Sequence, residues 1–537
     1  MSQLSVNVPS DEQLGRLLRE APWMSRDARA ADRYERIDHV VLGPREVLLV
    51  VAAVGGEAAG QRFFVPVRTG GPAGGDEARD GDEGRDGDGG RDGDEGRGGD
   101  EGATAGLAAV RRMLAGTPLR TARGGVLEFR RAPGAPAGEV RRLPFEQGWS
   151  SNALSLVAIG GVPHIHKTYR RLDETVREPE LLRRLSGTGR TPEWAGDYTY
   201  TDPVRGTRHP LGVVYRHAPG RGIDVPLREN LRSLWPRLAA GSAPEPLVRA
   251  HLRPLERNLR AAGSFLRAFH RDLSVLLGAP ATGYPVGEAL EHASVRLAGL
   301  ARAAAGSAGL AGALAPLPPA ARGAAFAALE GEVAALREAF AGRDTAPGAG
   351  PCHGDLHLSH LLCGEQDTDG APWRMSVIDL STPAMSPDDP AYAAQSPLQD
   401  LVAVQRALEY FAADEAAFES ARRLGIDATL TMYASLETSA HTGGDHPRDL
   451  GPARQKVVDT VFRTADTWRA HVLRLLLGPA PDGPLRRLLY LRRLLHELGY
   501  NHDHARPYHA AIDLRHALAQ ARDTSPTHPA PTTPART

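Results

Sequence analysis

Residues 351 to 362 read Pro351-Cys352-His353-Gly354-Asp355-Leu356-His357-Leu358-Ser359-His360-Leu361-Leu362, and a short run, Met375-Ser376-Val377-Ile378, then delivers Asp379. A polar loop dense in His and Asp, followed by a strand carrying one more carboxylate, can assemble a metal and proton-transfer site. Two chemistries fit this stretch taken alone. His353, Asp355, His357 and His360 make a candidate zinc cluster of a metallohydrolase. In a phosphotransferase the same residues take other work. Asp355 accepts the acceptor hydroxyl's proton as the catalytic base, and His353 orients the loop backbone. His360, five residues after Asp355, stands at a magnesium-ligand position, and Asp379 bridges the metal to the nucleotide phosphates.

The decision comes from outside the loop. Of the 64 Lys and Arg residues only Lys167 and Lys456 are lysines, so arginine serves wherever a generic positive charge is wanted. A lysine kept in such a chain points to a need for a compact ammonium that guanidinium cannot supply. Lys167 lies in a predicted strand, 164–169. This follows a polar turn (Gly148-Trp149-Ser150-Ser151-Asn152), a strand over 155–159 and a Gly160-Gly161 hairpin turn. In phosphoryl transfer such a lysine reaches the α- and β-phosphates of ATP and is held by a helix carboxylate, here expected to be Glu180. Ser151 and Asn152 would lie over the phosphates. A strong strand over 211–215 follows, and adenine is expected to meet backbone groups near Val214 to Arg216. The kinase reading uses this lysine lobe; the zinc reading leaves it unexplained.

At 537 residues the chain has room for two or three domains. A formal charge of −1 gives no footprint for nucleic acid, and two cysteines, Cys352 and Cys363, do not make a disulfide framework. The absence of a basic-then-apolar leader and of an apolar run long enough for a membrane span points to a cytoplasmic protein without a membrane partner. Residues 1–132 read as a small α+β domain. Within it, about 70–105 is a near-repeat of Gly, Asp, Glu and Arg expected to be disordered. Residues 133–218 read as a β-rich nucleotide-binding lobe, 219–522 as a mainly helical lobe, and 523–537 as a disordered Pro- and Thr-rich tail.

His353-Gly354-Asp355-Leu356-His357 followed by Val377-Ile378-Asp379 resembles the motif pair of the aminoglycoside phosphotransferase and choline kinase-like superfamily. Within it, the chain is most similar to the maltokinase-like branch and the glucosamine kinases related to it. Ser396-Pro397-Leu398-Gln399-Asp400 matches the branch's Ser-Pro-Leu-Arg-Asp helix start. Further echoes lie in the run from Lys167, in Gly263 to His270, and in Glu497-Leu498-Gly499-Tyr500-Asn501. The resemblance implies an α+β, bilobal, protein-kinase-like fold with residues 1–132 as an N-terminal cap. It also implies ATP and Mg2+ as cofactors, and a small-molecule acceptor bound by a monomer or weak oligomer.

The departures bear on specificity. His360 stands where the superfamily has Asn and maltokinases have Gln, and Ser381-Thr382-Pro383 replaces a Glu-Gly-Glu. On the helix after Asp400, Leu398, Val402, Gln405 and Glu409 share one face. Inward polar groups need a partner. An amino sugar would satisfy them, with Glu409 and Asp400 reading its ammonium and Gln405 a ring hydroxyl; an i,i+4 pair at a wet helix end is the plainer alternative. The expected activity is therefore phosphorylation of glucosamine at its 6-hydroxyl. Maltokinase, aminoglycoside kinase and a nucleotide-binding pseudokinase remain as other readings.

Overall fold

The structure is a computed structural model describing residues 9–21, 23–43, 46–68, 99–146, 152–238, 244–278, 283–305, 314, 316–364, 371–380, 394–440, 450–478 and 483–523. It divides into two compact units, Met1–Ala218 and Pro219–Thr537. Expectations for the insertion up to residue 98, for Ser151, for Ser381-Thr382-Pro383 and for the tail from 524 fall outside the described residues. Residues 99–105, expected to be disordered, instead form the first turns of a helix.

In the first unit, α1 (Asp11–Glu20) and α2 (Arg26–Arg29) precede β1 (Arg33–Gly43), β2 (Glu46–Val54) and β3 (Arg62–Arg68), which form an antiparallel sheet in the order β1-β2-β3. Strand β2 is an almost unbroken apolar run because both its faces are covered. Val47, Leu49 and Val51 pack with Leu14 and Leu18 of α1. The alternate residues Leu48 and Val50 join a second core with Val110 and Met113 of α3 (Gly99–Ala115).

That second core sits on a seven-stranded sheet made of β4 (Leu119–Arg120), β5 (Val126–Arg131), β6 (Val140–Arg142), β7 (Ala153–Ile159), β8 (Val162–Thr168), β9 (Trp194–Thr201) and β10 (Arg208–Arg216). Its order is β4-β5-β9-β10-β8-β7-β6. The division expected at residue 132 is bridged by this sheet, since β5 pairs with β9 from Val126↔Thr201 to Arg131↔Gly196. Gly160 and Gly161, at φ 56° and 84°, form the β7–β8 turn with the left-handed backbone that a tight hairpin requires. Register then sorts the faces. Lys167, Val213 and Asp197 lie side by side across β8, β10 and β9 on one face. Their neighbours His166, Val214 and Gly196 point toward α3. Gly196 is needed there, because a Cβ would lie 2.4 Å from the Met113 sulfur. The one helix on the chain between β8 and β9 that concerns the site is α4 (Glu178–Leu185).

The second unit is helical: α5 (Asp224–Leu234), α6 (Pro244–Leu252), α7 (Glu256–Leu277), α8 (Val286–Ala305), α9 (Pro319–Ala339), α10 (Pro397–Leu424), α11 (Ala428–Ala440), α12 (Pro452–Leu477), α13 (Pro484–Asp503) and α14 (Pro507–Asp523). A small antiparallel sheet of β11 (Arg221–Gly222), β12 (Leu361–Gly364) and β13 (Arg374–Val377) is set among them. Helix α10 is the central member, packing against α11, α12, α13 and α14. Ser396 and Gln399 make a reciprocal capping box at its start, with Pro397 in the first turn, and Gly425 closes it in the left-handed conformation. Among the described residues no helix is long and apolar enough to cross a membrane.

Helices α7 and α12 approach closely at Gly263, where a Cβ would fall 1.8 Å from the Leu476 carbonyl oxygen. Alanine ordinarily stabilises a helix interior over glycine by about 1 kcal/mol. Here the contact is with backbone that cannot rotate away, so the sign reverses. Gly263→Ala is expected to destabilise the protein by about 1–3 kcal/mol in urea unfolding, whereas Gly299→Ala, which meets nothing within 4 Å, should not.

Candidate active site

The Asp355 loop is built from backbone outward. Asp400, in the first turn of α10 and fully buried, accepts the amide N–H groups of His353 (2.8 Å) and Gly354 (2.9 Å) and bonds the His270 ring on α7 at 2.8 Å. Burial pushes this carboxyl up, but the His270 hydrogen bond and the surrounding donors outweigh it and hold Asp400 below the usual carboxylate range. Asp400 was expected to read a substrate ammonium. Its oxygens are instead taken up by the loop, and it does not line the adjoining cavity.

His353 ties the two halves of the site together. Its Nε2–H donates to the Ile378 carbonyl at 3.0 Å, and its Nδ1 accepts the Asp355 N–H at 3.3 Å. The β12–β13 pairing, Leu361↔Val377, and the Ile378 N–H bond to His360 O complete the frame. Asp379 follows at φ 56°, a left-handed backbone that aspartate tolerates better than most residues and that signals a constrained position.

Asp355 receives two donors on one oxygen. His357 Nε2 lies 3.0 Å and Arg493 Nη1 3.1 Å from Oδ1, which leaves Oδ2 without a partner among the described residues. Burial pushes this carboxyl up, but the His357 hydrogen bond and the Arg493 guanidinium hold it well below the usual range. It lines a cavity of about 680 Å³ together with Tyr410, Asp414, Arg493, Glu497 and Asn501, a size suited to a small-molecule ligand. Arg493 and Glu497 were not singled out as site residues from sequence. The available signal was their i,i+4 spacing on a helix otherwise read only for its C-terminal echo.

His360 and Asp379 suit a divalent cation. The His360 Nδ1–H donates to Asp355 O at 3.0 Å, so the neutral ring turns an Nε2 lone pair toward Asp379 Oδ2, 3.4 Å away. Burial, with the neighbouring histidines, pushes the His360 pKa down to about 4 despite the Asp379 charge, so the ring is neutral at pH 7. A cation could be held between these two atoms. Among the described residues no group of three or more His, Cys, Asp or Glu side chains is placed to hold a metal. The zinc cluster is corrected accordingly, because His353 and His360 direct ring nitrogens to the loop backbone.

In the first unit Lys167 Nζ lies 2.7 Å from Glu178 Oε2, both side chains almost completely buried, and the Tyr169 hydroxyl donates to the same oxygen at 2.8 Å. Glu180, the expected partner, is half exposed and pairs with Arg183 and Arg184. The reason is helical phase. Glu178 lies three, four and seven residues before Leu181, Leu182 and Leu185 on the buried stripe, whereas Glu180 is about 200° around the helix. Asn152 directly precedes β7. Val214 sits mid-strand with β8 and β9 on either side and its side chain in the core. The Arg216 N–H donates to Glu193 O, so of the backbone groups expected near adenine this amide is already engaged.

Gln405 and Glu409 also differ from expectation. Both are buried, but their partners are protein groups. Gln405 donates to Glu409 and accepts from Arg486, while Glu409 accepts from Arg406, Arg469 and the Tyr490 hydroxyl. Neither lines the cavity.

The chain thus carries a sheet unit with a buried lysine–glutamate pair, followed by a helical unit with two aspartates flanking a short β-hairpin. Solved structures with a similar fold include a glucosamine kinase in complex with glucosamine, ADP and inorganic phosphate (17% identity, 97% of this chain and 100% of that chain covered, TM-score 0.46). A thermostable mutant of aminoglycoside phosphotransferase APH(4)-Ia is also similar (11%, 73% and 96%, TM-score 0.31), as is an ethanolamine kinase from Plasmodium vivax (11%, 66% and 80%, TM-score 0.25). No protein-family profile and no curated protein sequence matches the chain.

The two glutamates of α4 separate cleanly by experiment. Glu178→Gln leaves Lys167 buried without its carboxylate and is expected to cost about 3 kcal/mol in urea unfolding. Glu180→Gln removes only a surface pair and should stay within about 0.5 kcal/mol of the parent.

Proposed function

We propose that the protein transfers the γ-phosphoryl group of ATP to a hydroxyl of a small amino sugar, glucosamine at its 6-hydroxyl. The observation that carries this reading is the buried Lys167–Glu178 pair. A phosphotransferase needs a lysine ammonium fixed on a strand to hold nucleotide phosphates, and a hydrolase site has no use for one. Asn152, with Ser151 before it, is assigned to the turn over the phosphates. Asp379 and His360 would hold the magnesium ion, whose charge offsets that of the phosphoryl oxygens.

Asp355 is assigned to the acceptor. Its low pKa keeps it ionised at neutral pH and makes it a weak base. Its role is therefore to orient the hydroxyl through Oδ2 and to take the proton late, which suits a loose transition state with little charge on the nucleophile. Arg493 and His357 fix the carboxylate plane by occupying Oδ1.

With Asp400 and Glu409 engaged elsewhere, the ammonium reader is reassigned to Asp414. This carboxylate lines the cavity, and among the described residues it is bonded only by the Tyr508 hydroxyl, at 2.9 Å. Burial, and then the neighbouring Glu415 charge, push its pKa up. An ammonium seated beside it favours the ionised form. Acceptor affinity should thus be full above the raised pKa and fall as pH drops through it.

Three measurements test the reading. Turnover with ATP is assayed on glucosamine, glucose, maltose and kanamycin; equal kcat/KM for glucose and glucosamine would remove the ammonium-reading role, and no turnover on any of them would favour a nucleotide-binding regulator. Asp414→Asn should raise KM for glucosamine about 10-fold or more, as for loss of a charged hydrogen bond, and abolish its rise at low pH. Asp355→Asn should lower kcat by about 100-fold or more. The metal assignment has its own check. His360→Asn replaces the imidazole nitrogen by an oxygen donor, so the ratio of activity with Mn2+ to that with Mg2+ is expected to fall.

A further inference from the structure

One guanidinium in the core of the helical unit has more carboxylates around it than its charge requires. Arg406, on α10, has a side chain 1% exposed. Its Nε donates to Glu497 Oε2 at 2.8 Å, its Nη1 to Glu409 Oε2 at 2.5 Å and to the Tyr490 hydroxyl at 3.3 Å, and its Nη2 to Asp513. Two chains of contact lead from it to the cavity. In the first, Glu497 Oε1 accepts Arg493 Nε at 2.6 Å, and Arg493 Nη1 reaches Asp355 Oδ1 at 3.1 Å. In the second, Asp513 accepts the Tyr410 hydroxyl at 2.5 Å and Asn501 Nδ2 at 2.9 Å, and both of these residues line the cavity.

We propose that Arg406 is a positioning residue for phosphoryl transfer: through Glu497 and Arg493 it fixes where the Asp355 carboxylate points, and through Asp513 it fixes the wall that faces the acceptor. The proposal rests on the assignment of Asp355 to the acceptor hydroxyl. The physical basis is the rigidity of a planar fork. Arg406 donates through five N–H groups in one plane, one on Nε and two on each terminal nitrogen, so three carboxylates on α10, α13 and α14 are held at fixed angles to one another. Glu497 is then presented to Arg493 with one oxygen already committed. Arg493, nearly enclosed, has its Nε fixed by Glu497 and only its terminal nitrogens left to meet Asp355. A lysine at 406 keeps the charge but carries its three N–H donors on one rotatable nitrogen, so it cannot reach three carboxylates spaced around a planar fork. The network would relax by several tenths of an ångström to an ångström at Arg493, a displacement of the size that costs up to about 100-fold in rate.

A role confined to stability predicts a different result, so the test separates them. Arg406→Lys is made in the full chain and its folding checked by circular dichroism and urea unfolding. On whichever acceptor the wild type phosphorylates, kcat should fall about 10- to 100-fold, with KM for ATP unchanged. The double variant Arg406→Lys/Arg493→Lys should lose little beyond Arg493→Lys alone, because the two act in series. An unchanged kcat, or losses that multiply, would overturn the proposal. Where wild type phosphorylates no acceptor the assignment of function fails, and the positioning claim is still decided by a crystal structure of Arg406→Lys. Arg493 displaced from Asp355 supports it; Arg493 still within 3.1 Å of Asp355 overturns it. Glu497→Gln breaks the same chain one link later while leaving Arg406 bonded to Glu409 and Asp513. It carries the same expectations if the lysine variant does not fold.

Discussion

The His353-Gly354-Asp355 loop of this protein hangs on one buried carboxylate. Asp400 accepts two consecutive backbone amides of the loop and the His270 ring. A buried carboxylate is tolerated only when its lone pairs are met by donors held in position. The capping box of α10 fixes the helix start, α7 supplies the histidine, and the loop's own N–H groups complete the set. The His353-Gly354 backbone is therefore held by Asp400, itself bonded to His270, and neither of these lines the cavity. Gly263 matters to the loop for the same reason, since the close approach of α7 to α12 holds the helix that carries His270.

From that anchor, polar contacts run in both directions. His353 connects the loop to Ile378 and thus to Asp379, so the two aspartates are positioned by one frame. Asp355 is held from the other side by Arg493 and, behind it, Glu497 and Arg406. The carboxylate has both donors on Oδ1, and the residue lines a cavity of about 680 Å³. The proposed role of Asp355 toward an acceptor hydroxyl rests on this division of its two oxygens.

The charged residues of α10 were legible as inward-facing from their spacing, but not their partners. Gln405 and Glu409 lie on the buried side as the periodicity implied, yet Arg406, Arg469, Arg486 and Tyr490 satisfy them from within the protein. Arg406 comes from α10 itself, but Arg469, Arg486 and Tyr490 come from helices about 60 to 80 residues away in sequence, a separation that carries no local signal. Glu178 is the converse case. Its position on the stripe with Leu181, Leu182 and Leu185 is readable from the 3.6-residue phase, and the same phase turns Glu180 toward solvent.

The sequence by itself determined the elements whose cause is local. The Gly160-Gly161 hairpin, the doubly apolar β2, the Ser396-Pro397 helix start and the spacing from Asp355 to Asp379 each follow from backbone preference or periodicity. It also singled out Lys167, because one lysine in a strand among so many arginines is a chemical choice. Tertiary structure decided which carboxylates line the cavity and which are enclosed by protein groups. Asp400, Glu409, Asp414 and Glu497 are alike in chemistry and close in helical context. They differ only in which donors from distant helices arrive beside them, and a pattern of 3.6 residues cannot encode that.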